Sequence, residues 1–263
     1  MEKREMYELR RVTRIKDGIA TTADDPVVRE APLTIMLNNE ELATLVCSPV
    51  ADKELVIGFL AGEGLLKTPE DIRNYEYRKE EGVARVEAAA PAPRLEGFPG
   101  RIIAGSCGKC GPSFYAVKDA SGIGAVTGDP RFSADHVLSL VKGLDEGSAT
   151  FRLTGGVHTA ALGDAAGIIA RYEDIGRHNA LDRIMGYVFL NGIDTSDKAV
   201  VLSGRVASEM LLKAARIGVP VVLSRSAPTA LALDLAGRLG ITVVGFVRGN
   251  GFNVYCHGER IVD

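Results

Sequence analysis

Three short and almost wholly apolar runs in the last part of the chain constrain its fold most strongly. They are residues 199–202 (AVVL), 219–224 (VPVVLS) and 241–247 (ITVVGFV), with helix-like segments between them. Apolar runs without alternation are typical of strands buried on both faces, as in parallel sheets that are covered by helices. Helical apolar spacing also recurs over 133–144 and 177–190. The pattern predicts an α/β fold with a mainly parallel sheet.

The N-terminal part of the chain has a different pattern, in which short alternating runs dominate. Strands are predicted over 7–15, 33–37, 42–47, 75–78 and 83–88. The pair Asn38-Asn39 predicts a hairpin turn, and residues 52–66 predict an amphipathic helix. A stretch rich in Pro, Gly and Ala over 89–105 predicts the boundary between a smaller β-rich lobe, residues 1–104, and an α/β lobe, residues 105–263.

Composition excludes several classes of protein. With 46% hydrophobic and 25% charged residues, the 263-residue chain can bury a large core. The net charge of -3 is spread without long runs of one sign and tryptophan is absent, which argues against nucleic-acid binding. No apolar stretch approaches the roughly 20 residues that span a bilayer, and the first residues lack the apolar stretch of a signal peptide. We therefore expect a cytoplasmic protein without membrane contact.

A glycine-rich segment with two cysteines, residues 105–112 (GSCGKCGP), is the first candidate for chemistry. Lys109 lies between Cys107 and Cys110, and a nearby ammonium group favours the thiolate over the thiol. The thiolate is the form that attacks a sulfur electrophile. Either cysteine could therefore accept a sulfane sulfur and carry it as a persulfide.

Other interpretations of the C-x-x-C pair stay open. A structural zinc site needs four ligands, and beyond this pair the sequence offers only Cys256-His257, so no structural metal is expected. A thioredoxin-like redox pair would open a helix directly after a strand, whereas glycine and proline surround this one. The two cysteines could also be unreactive surface residues, although exposed thiols are a liability in a protein.

Two segments each place a histidine after glycines, where we predict that a helix starts. They are residues 154–161 (TGGVHTAA) and 173–182 (EDIGRHNALD). The candidate ligand-binding residues are Gly155, Gly156, His158, Arg177 and His178. Backbone N–H groups at a helix N-terminus favour a phosphate or another oxyanion. In the alternative interpretation, Asp174 only caps its helix and His178 is a satisfied polar group.

Two predicted strand ends share one design, in which a serine is followed by an arginine before a helix. Ser203 and Ser224 are natural N-caps, but Arg205 and Arg225 would oppose the helix dipole unless an anion compensates them. Binding crevices in open α/β sheets lie at such strand ends. After the last strand, residues 245–252 (GFVRGNGF) predict a hairpin turn.

Together these segments resemble the FdhD family, the accessory sulfur carriers of formate dehydrogenase. The resemblance covers most of residues 30–263. It rests on six segments in order: SCGKCG (106–111), FRLTGGVHTAAL (151–162), EDIGRHNALD (173–182), LSGRVASEM (202–210), VVLSRSAPT (221–229) and GFVRGNGFNVY (245–255).

The resemblance implies a cytidine-deaminase-like, three-layer α/β fold for the second lobe, a homodimer, and sulfurtransferase activity. Sulfur would pass from a cysteine desulfurase to the molybdenum bis(molybdopterin guanine dinucleotide) cofactor of apo formate dehydrogenase. The persulfide cysteine of the family matches Cys107, and its second loop cysteine matches Cys110. The segment that touches the cofactor matches Phe246, Val247, Arg248, Gly249, Asn250 and Gly251. Zinc-dependent deamination does not carry over, because the glutamate of H-x-E is missing after His158.

The sequence thus predicts a two-step relay, in which Cys107 takes sulfur and the second lobe presents the cofactor. Glycine-rich helix starts together with Arg177, Arg205, Arg225 and Arg248 would hold the dinucleotide phosphates, so GDP should bind as a surrogate. Two rivals remain. One is a zinc-dependent deaminase-like hydrolase, and the other is a non-enzymatic chaperone for the cofactor or the apo-enzyme.

Overall fold

The computed structural model describes residues 6–89, 101–103 and 122–263, and of residues 101–103 only the backbone. The strands within these residues are β1 (Tyr7–Lys16), β2 (Ile19–Val28), β3 (Ala31–Leu37), β4 (Glu40–Cys47), β5 (Ile72–Arg78), β6 (Val83–Ala88), β7 (Arg101–Ile103), β8 (Phe132–Ser133), β9 (His158–Asp164), β10 (Gly167–Asp174), β11 (Ala199–Leu202), β12 (Val221–Ser224), β13 (Thr242–Arg248), β14 (Gly251–Cys256) and β15 (Ile261–Val262). The α-helices are α1 (Asp52–Gly62), α2 (Ala134–Gly147), α3 (Ala149–Thr154), α4 (Arg177–Asn191), α5 (Ser208–Arg216) and α6 (Ala230–Leu239). Short 3-10 turns lie at Pro69–Asp71 and Gly258–Arg260.

The N-terminal part consists of a two-stranded ribbon, β1–β2, and a five-stranded sheet in the order β5-β6-β3-β4-β7. The strands predicted from alternation are confirmed. So is the hairpin between β3 and β4, because Asn38 and Asn39 have φ values of 50° and 68°, the left-handed backbone that a tight hairpin turn requires. The lobe boundary at residue 104 stays a prediction, although β7 pairs with β4 in this sheet.

Helix α1 differs from its prediction in length and in environment. It ends at Gly62 instead of residue 66, and every residue from 55 to 62 is buried, so the helix is not amphipathic. It lies between the N-terminal sheet and α4. A Cβ on Gly58 would come 1.7 Å from the Asp182 carbonyl oxygen, and one on Gly186 would come 1.9 Å from the Glu54 carbonyl oxygen. The glycines allow the two helix backbones to touch.

A six-stranded sheet forms the second part, in the order β10-β9-β11-β12-β13-β14. The three predicted apolar strands are confirmed as β11, β12 and β13, which pair in parallel. The prediction of a mainly parallel sheet is wrong, however, because the other three pairings are antiparallel. Two of these lie within the hairpins β9–β10 and β13–β14, which add strands at the two edges without a crossover helix, and the third joins β9 to β11.

Helices cover both faces of this sheet. Val200 and Leu202 of β11 point into a core with α4, α5 and α6, whereas Ala199 and Val201 point into a second core with α2. This explains why the strand is an unbroken apolar run. The α/β fold class is confirmed, and the lobe has three layers. Among the described residues, no helix is both long and apolar enough to cross a membrane.

Candidate functional site

A cavity of about 420 Å³ opens where the central strands of the six-stranded sheet end. Strands β11 and β12 end at the cavity, and β9 begins there because it runs antiparallel to β11. Five of the residues predicted from the sequence line the cavity, namely Gly155, Gly156, His158, Arg225 and Arg248. Segments that are up to 93 positions apart in the chain therefore meet at one site. A binding crevice at the ends of strands is the usual location in open α/β sheets.

The other predicted ligand-binding residues are not part of the lining. Arg177 lies beside Gly204, where a Cβ would come 3.5 Å from the Arg177 side chain and 3.3 Å from His158 Nδ1. Val247 is buried in the core with α2, whereas Phe246 is 39% exposed. The others outside the lining are His178, Arg205, Gly249, Asn250 and Gly251.

The predicted helix start at His158 is wrong. Gly155 ends the short helix α3 in the left-handed conformation, with φ of 65°, and His158 is the first residue of β9. The run HTAALGD is a buried strand, and a short apolar run does not by itself distinguish a strand from a helix. Gly156 has a packing role, because a Cβ there would come within 2.8 Å of Val28 at the base of the ribbon. The second predicted start is confirmed, since α4 begins at Arg177.

The predicted caps at Ser203 and Ser224 are also wrong, because the following helices begin later, at Ser208 and Ala230. Arg205 and Arg225 consequently lie in loops and do not oppose a helix dipole. The Ser224 hydroxyl instead donates to the Gly204 carbonyl at 2.7 Å and accepts from the Ser226 N–H at 2.9 Å.

The second serine connects two strand ends at the cavity. Ser203 Oγ accepts from the Thr159 N–H at 2.9 Å and lies 3.4 Å from His158 Nδ1. If the hydroxyl proton is donated to His158 Nδ1, the neutral ring carries its own proton on Nε2. His158 then offers a hydrogen-bond donor for an oxygen atom of a ligand.

Two arginines supply positive charge at the cavity. Arg225 Nη1 contacts Asp145 Oδ1 at 2.9 Å, and both side chains are 40% exposed. Such an exposed pair contributes about 0–1 kcal/mol, so an anionic ligand could compete with Asp145 at small cost. Arg248 donates its Nε–H to the Arg225 carbonyl at 3.0 Å, and its guanidinium lies 5.6 Å from the centre of the Phe246 ring. The two cations are thus held next to each other.

Both histidines near the cavity are uncharged at neutral pH. Burial lowers the pKa of His158, with a further lowering by Arg177. Burial also lowers the pKa of His178 to about 3, and Lys213 and Arg177 act in the same direction. His178 Nε2 lies 3.3 Å from Glu209 Oε2, but the atoms are not aligned for a hydrogen bond. Because the imidazole is neutral, this contact is not an ion pair.

Several residues of the cavity were not predicted from the sequence. The lining also includes Asp145, Ser148, Phe151, Ile175 and Ser226. Helix α3, which carries Phe151, is only six residues long and has no apolar period that would reveal it. Phe151 is nevertheless 45% exposed, so it offers an apolar surface at the edge of a polar cavity.

The predicted sulfur-carrying residues, Cys107 and Cys110, lie outside the described residues. Of the two described thiols, Cys47 is buried, and burial raises its pKa to about 12. The Cys256 thiol donates to the Leu233 carbonyl, and partial burial raises its pKa as well. Neither is a thiolate at neutral pH. Within the described part of the chain, no cluster of three or more His, Cys, Asp or Glu side chains could hold a metal ion.

Comparisons with known proteins agree with these motifs. The sequence profile of the FdhD/NarQ family matches residues 28–262. A protein of Geobacillus kaustophilus named sulfur carrier protein FdhD is 47% identical over 255 residues, 96% of each chain. The protein of the same name from Bacillus subtilis is 44% identical over 254 residues, 96% of this chain and 97% of that one.

The fold also has a crystallographic counterpart. A crystal structure from Desulfotalea psychrophila, described as a formate dehydrogenase accessory protein, superimposes with a TM-score of 0.81 at 28% sequence identity. The superposition covers 98% of this chain and 100% of the other. The matching profile and the two full-length relatives lead to one conclusion: this chain belongs to the FdhD/NarQ family of sulfur carrier proteins.

Proposed function

We propose that this chain acts as a sulfurtransferase, which takes sulfur from a cysteine desulfurase and delivers it to the molybdenum bis(molybdopterin guanine dinucleotide) cofactor of a formate dehydrogenase. Membership of a sulfur carrier family supports the transfer of sulfur, and the solved relative is described as a formate dehydrogenase accessory protein. The donor and the acceptor are our proposal.

The first exchange takes place at Cys107. Its thiolate attacks the terminal sulfur of a desulfurase cysteine persulfide, the S–S bond of that persulfide breaks, and the desulfurase cysteine leaves as a thiolate. Cys107 then carries the sulfur as a persulfide. Lys109 favours the attacking thiolate electrostatically.

The second exchange returns Cys107 to the thiolate. Sulfane sulfur is formally zero-valent, so its conversion to a metal-bound sulfide takes two electrons. A reduced molybdenum centre of the substrate supplies them as the S–S bond breaks.

The proposed acceptor of the sulfur is supported mainly by the cavity. Its volume of about 420 Å³ is within the range of small-molecule sites, roughly 300–1,000 Å³. Arg225 and Arg248 match the charge and the planar geometry of phosphate groups. Gly156 brings bare backbone to the surface, and His158 adds a neutral imidazole that can form a hydrogen bond. A guanine nucleotide portion of the cofactor fits this combination of groups.

Further parts of the proposal stay predictions. These are the cytidine-deaminase-like arrangement of the second lobe, the homodimer, a cytoplasmic location, and complexes with the desulfurase and with apo formate dehydrogenase. The homodimer is tested by the mass of the protein in solution.

Mass spectrometry tests the sulfur-carrying role directly. The protein is incubated with a cysteine desulfurase and cysteine, and we expect the mass of one additional sulfur on the peptide with Cys107. Cys107→Ala should abolish both the added sulfur and the maturation of formate dehydrogenase. Cys256→Ser is the matched control and should keep both. If Cys107→Ala still matures the dehydrogenase at the wild-type level, Cys107 is not the sulfur carrier, and if the double variant with Cys110→Ala does so as well, the protein is a chaperone.

A further inference from the structure

A fully buried polar cluster connects the N-terminal sheet to one wall of the cavity. The side chains of Asp174 and Arg183 and the whole of Ser48 have no exposed surface. Asp174 ends β10, Arg183 lies in α4, and Ser48 follows β4 in the N-terminal part. Buried charges are retained in proteins only where they are paired and hydrogen-bonded, so this cluster must be complete to be stable.

The N–H, the carbonyl and the Oγ of Ser48 each hydrogen-bond to a residue between 174 and 183 in the second part. Its N–H donates to Asp174 Oδ2 at 3.0 Å, its carbonyl accepts from Arg183 Nη2 at 2.7 Å, and its Oγ accepts from the Ile175 N–H at 3.2 Å. Arg183 also donates to Asp174 and to the Val50 carbonyl.

The same cluster fixes the turn that leads into α4. Asp174 Oδ1 accepts from the Gly176 N–H at 2.7 Å and from Asn179 Nδ2 at 2.9 Å. Asn179 Nδ2 also donates to the Val46 carbonyl in β4, at 2.9 Å. Thus the backbone of residues 174–176 is hydrogen-bonded on both sides, and part of this support comes from the N-terminal sheet.

This turn is a wall of the cavity. Ile175 lines the cavity, and Arg177, two residues later, lies against Gly204 and close to His158. A shift of the Ile175 backbone would change the shape of the cavity and the position of the first residues of α4. Hydrogen bonds from a rigid second layer are what holds a binding site to its productive geometry.

We infer that Ser48 is a positioning residue for the cavity: through the Ile175 N–H and Asp174, the N-terminal sheet sets the geometry of the ligand-binding wall. This inference rests on the proposed function, because the cavity is taken as the cofactor site. It assigns a role in binding to a residue that is not part of the lining of the cavity.

The test compares Ser48→Ala with Thr44→Val. Both variants remove one hydroxyl from the same chain segment, but the Thr44 hydroxyl pairs with that of Thr34 inside the N-terminal sheet, at 2.9 Å, and has no hydrogen bond to the described residues of the second part. Hydrogen exchange over residues 174–178, GDP affinity by calorimetry and the thermal midpoint are measured for each. For Ser48→Ala we expect exchange at least about ten-fold faster and GDP affinity about ten-fold weaker, as for a buried donor left unpaired. Thr44→Val should change neither, at a comparable midpoint.

The outcomes distinguish an error in the proposed nucleotide site from an error in the proposed role of Ser48. If the wild-type protein does not bind GDP, the proposed nucleotide site is wrong, and the exchange of residues 174–178 still decides whether Ser48 fixes the turn. If GDP binds and Ser48→Ala keeps wild-type affinity, Ser48 does not position the cavity, whatever the rate of hydrogen exchange over residues 174–178. Should Ser48→Ala fail to fold, Asn179→Ala removes the parallel link between Val46 and Asp174 and must show the same pattern.

Discussion

The substitution of glycine by alanine should have opposite effects on stability at two helical positions. One is Gly58, at the contact between α1 and α4, and the other is Gly237, in α6. At Gly58 the new methyl group would meet the Asp182 carbonyl oxygen at 1.7 Å, about half of a normal carbon–oxygen contact. At Gly237, in the exposed face of α6, a Cβ would meet nothing within 4 Å. Alanine is favoured over glycine inside a helix by about 1 kcal/mol at both positions.

For Gly58→Ala the steric cost exceeds this gain. The two helix backbones must move apart by more than 1 Å along a contact that is otherwise fully buried, and overpacking of this kind costs about 1–3 kcal/mol or more. An overlap of this size places the cost at the upper end of that range, about 3 kcal/mol, so after the gain of about 1 kcal/mol we expect a net loss of about 2 kcal/mol in the free energy of unfolding. This corresponds to a thermal midpoint lower by roughly 4–8 °C for a chain of this size.

Gly237→Ala should instead raise the midpoint by roughly 1–4 °C, through the gain of about 0.5–1 kcal/mol alone. Both variants are measured by circular dichroism during heating, with urea denaturation at 25 °C as a second determination. A Gly58→Ala protein as stable as the wild type would show that the two helices can move apart at this contact without a loss of stability. A destabilised Gly237→Ala protein would contradict the conclusion that a Cβ at Gly237 meets no neighbouring atom.

Three further predictions follow from charges and buried pairs. Arg248→Ala should weaken GDP binding, and Arg248→Lys should weaken it too, because a point charge cannot reproduce the planar fork, while mass spectrometry should show unchanged sulfur loading of Cys107. Loss of sulfur loading with intact GDP affinity in Arg248→Ala would show that the sulfur and cofactor roles are assigned to the wrong segments. Arg183→Met should lower the free energy of unfolding by about 3–5 kcal/mol in urea, because it leaves the buried Asp174 carboxylate unpaired, and a loss below 1 kcal/mol would contradict this. His178 has a folded-state pKa near 3, below its unfolded value of 6.5, so the stability it contributes is present above pH 6.5 and is lost as the pH falls toward 3. In urea titrations between pH 7 and 4.5, His178→Gln should therefore lose less stability than the wild type, by up to about 1.4 kcal/mol per pH unit, and equal slopes would show that His178 does not carry this dependence.

The location of the candidate site was predictable only in part. Gly155, His158, Arg225 and Arg248 were selected from the sequence, and all of them line the cavity. Three of them have a different local structure from the predicted helix starts, since Gly155 ends a helix, His158 begins a strand and Arg225 lies in a loop. Glycines and arginines next to strand ends are recognisable in a sequence, but the conformation of the residues between them depends on pairing with distant strands.

Some features are determined by local sequence alone. The hairpin at Asn38-Asn39 is one, because two consecutive residues that tolerate positive φ select a tight turn whatever surrounds them. The apolar runs of β11, β12 and β13 are another, because a strand that is apolar on both faces must be covered on both. The motifs of the sulfur carrier family also belong here, since they are contiguous and need no structure to be recognised.

Tertiary structure alone decided how these elements combine. The antiparallel edges of the sheet and the complete burial of α1 arise from contacts between segments that are far apart in the chain, and no local period encodes them. Arg183 is the clearest case. In sequence it is a charged residue in a helix and is expected at the surface, yet it is fully buried because Asp174 and the carbonyls after β4 neutralise and bind it. Burial of a charge is decided by its partners, and partners from distant segments exist only once the chain has folded.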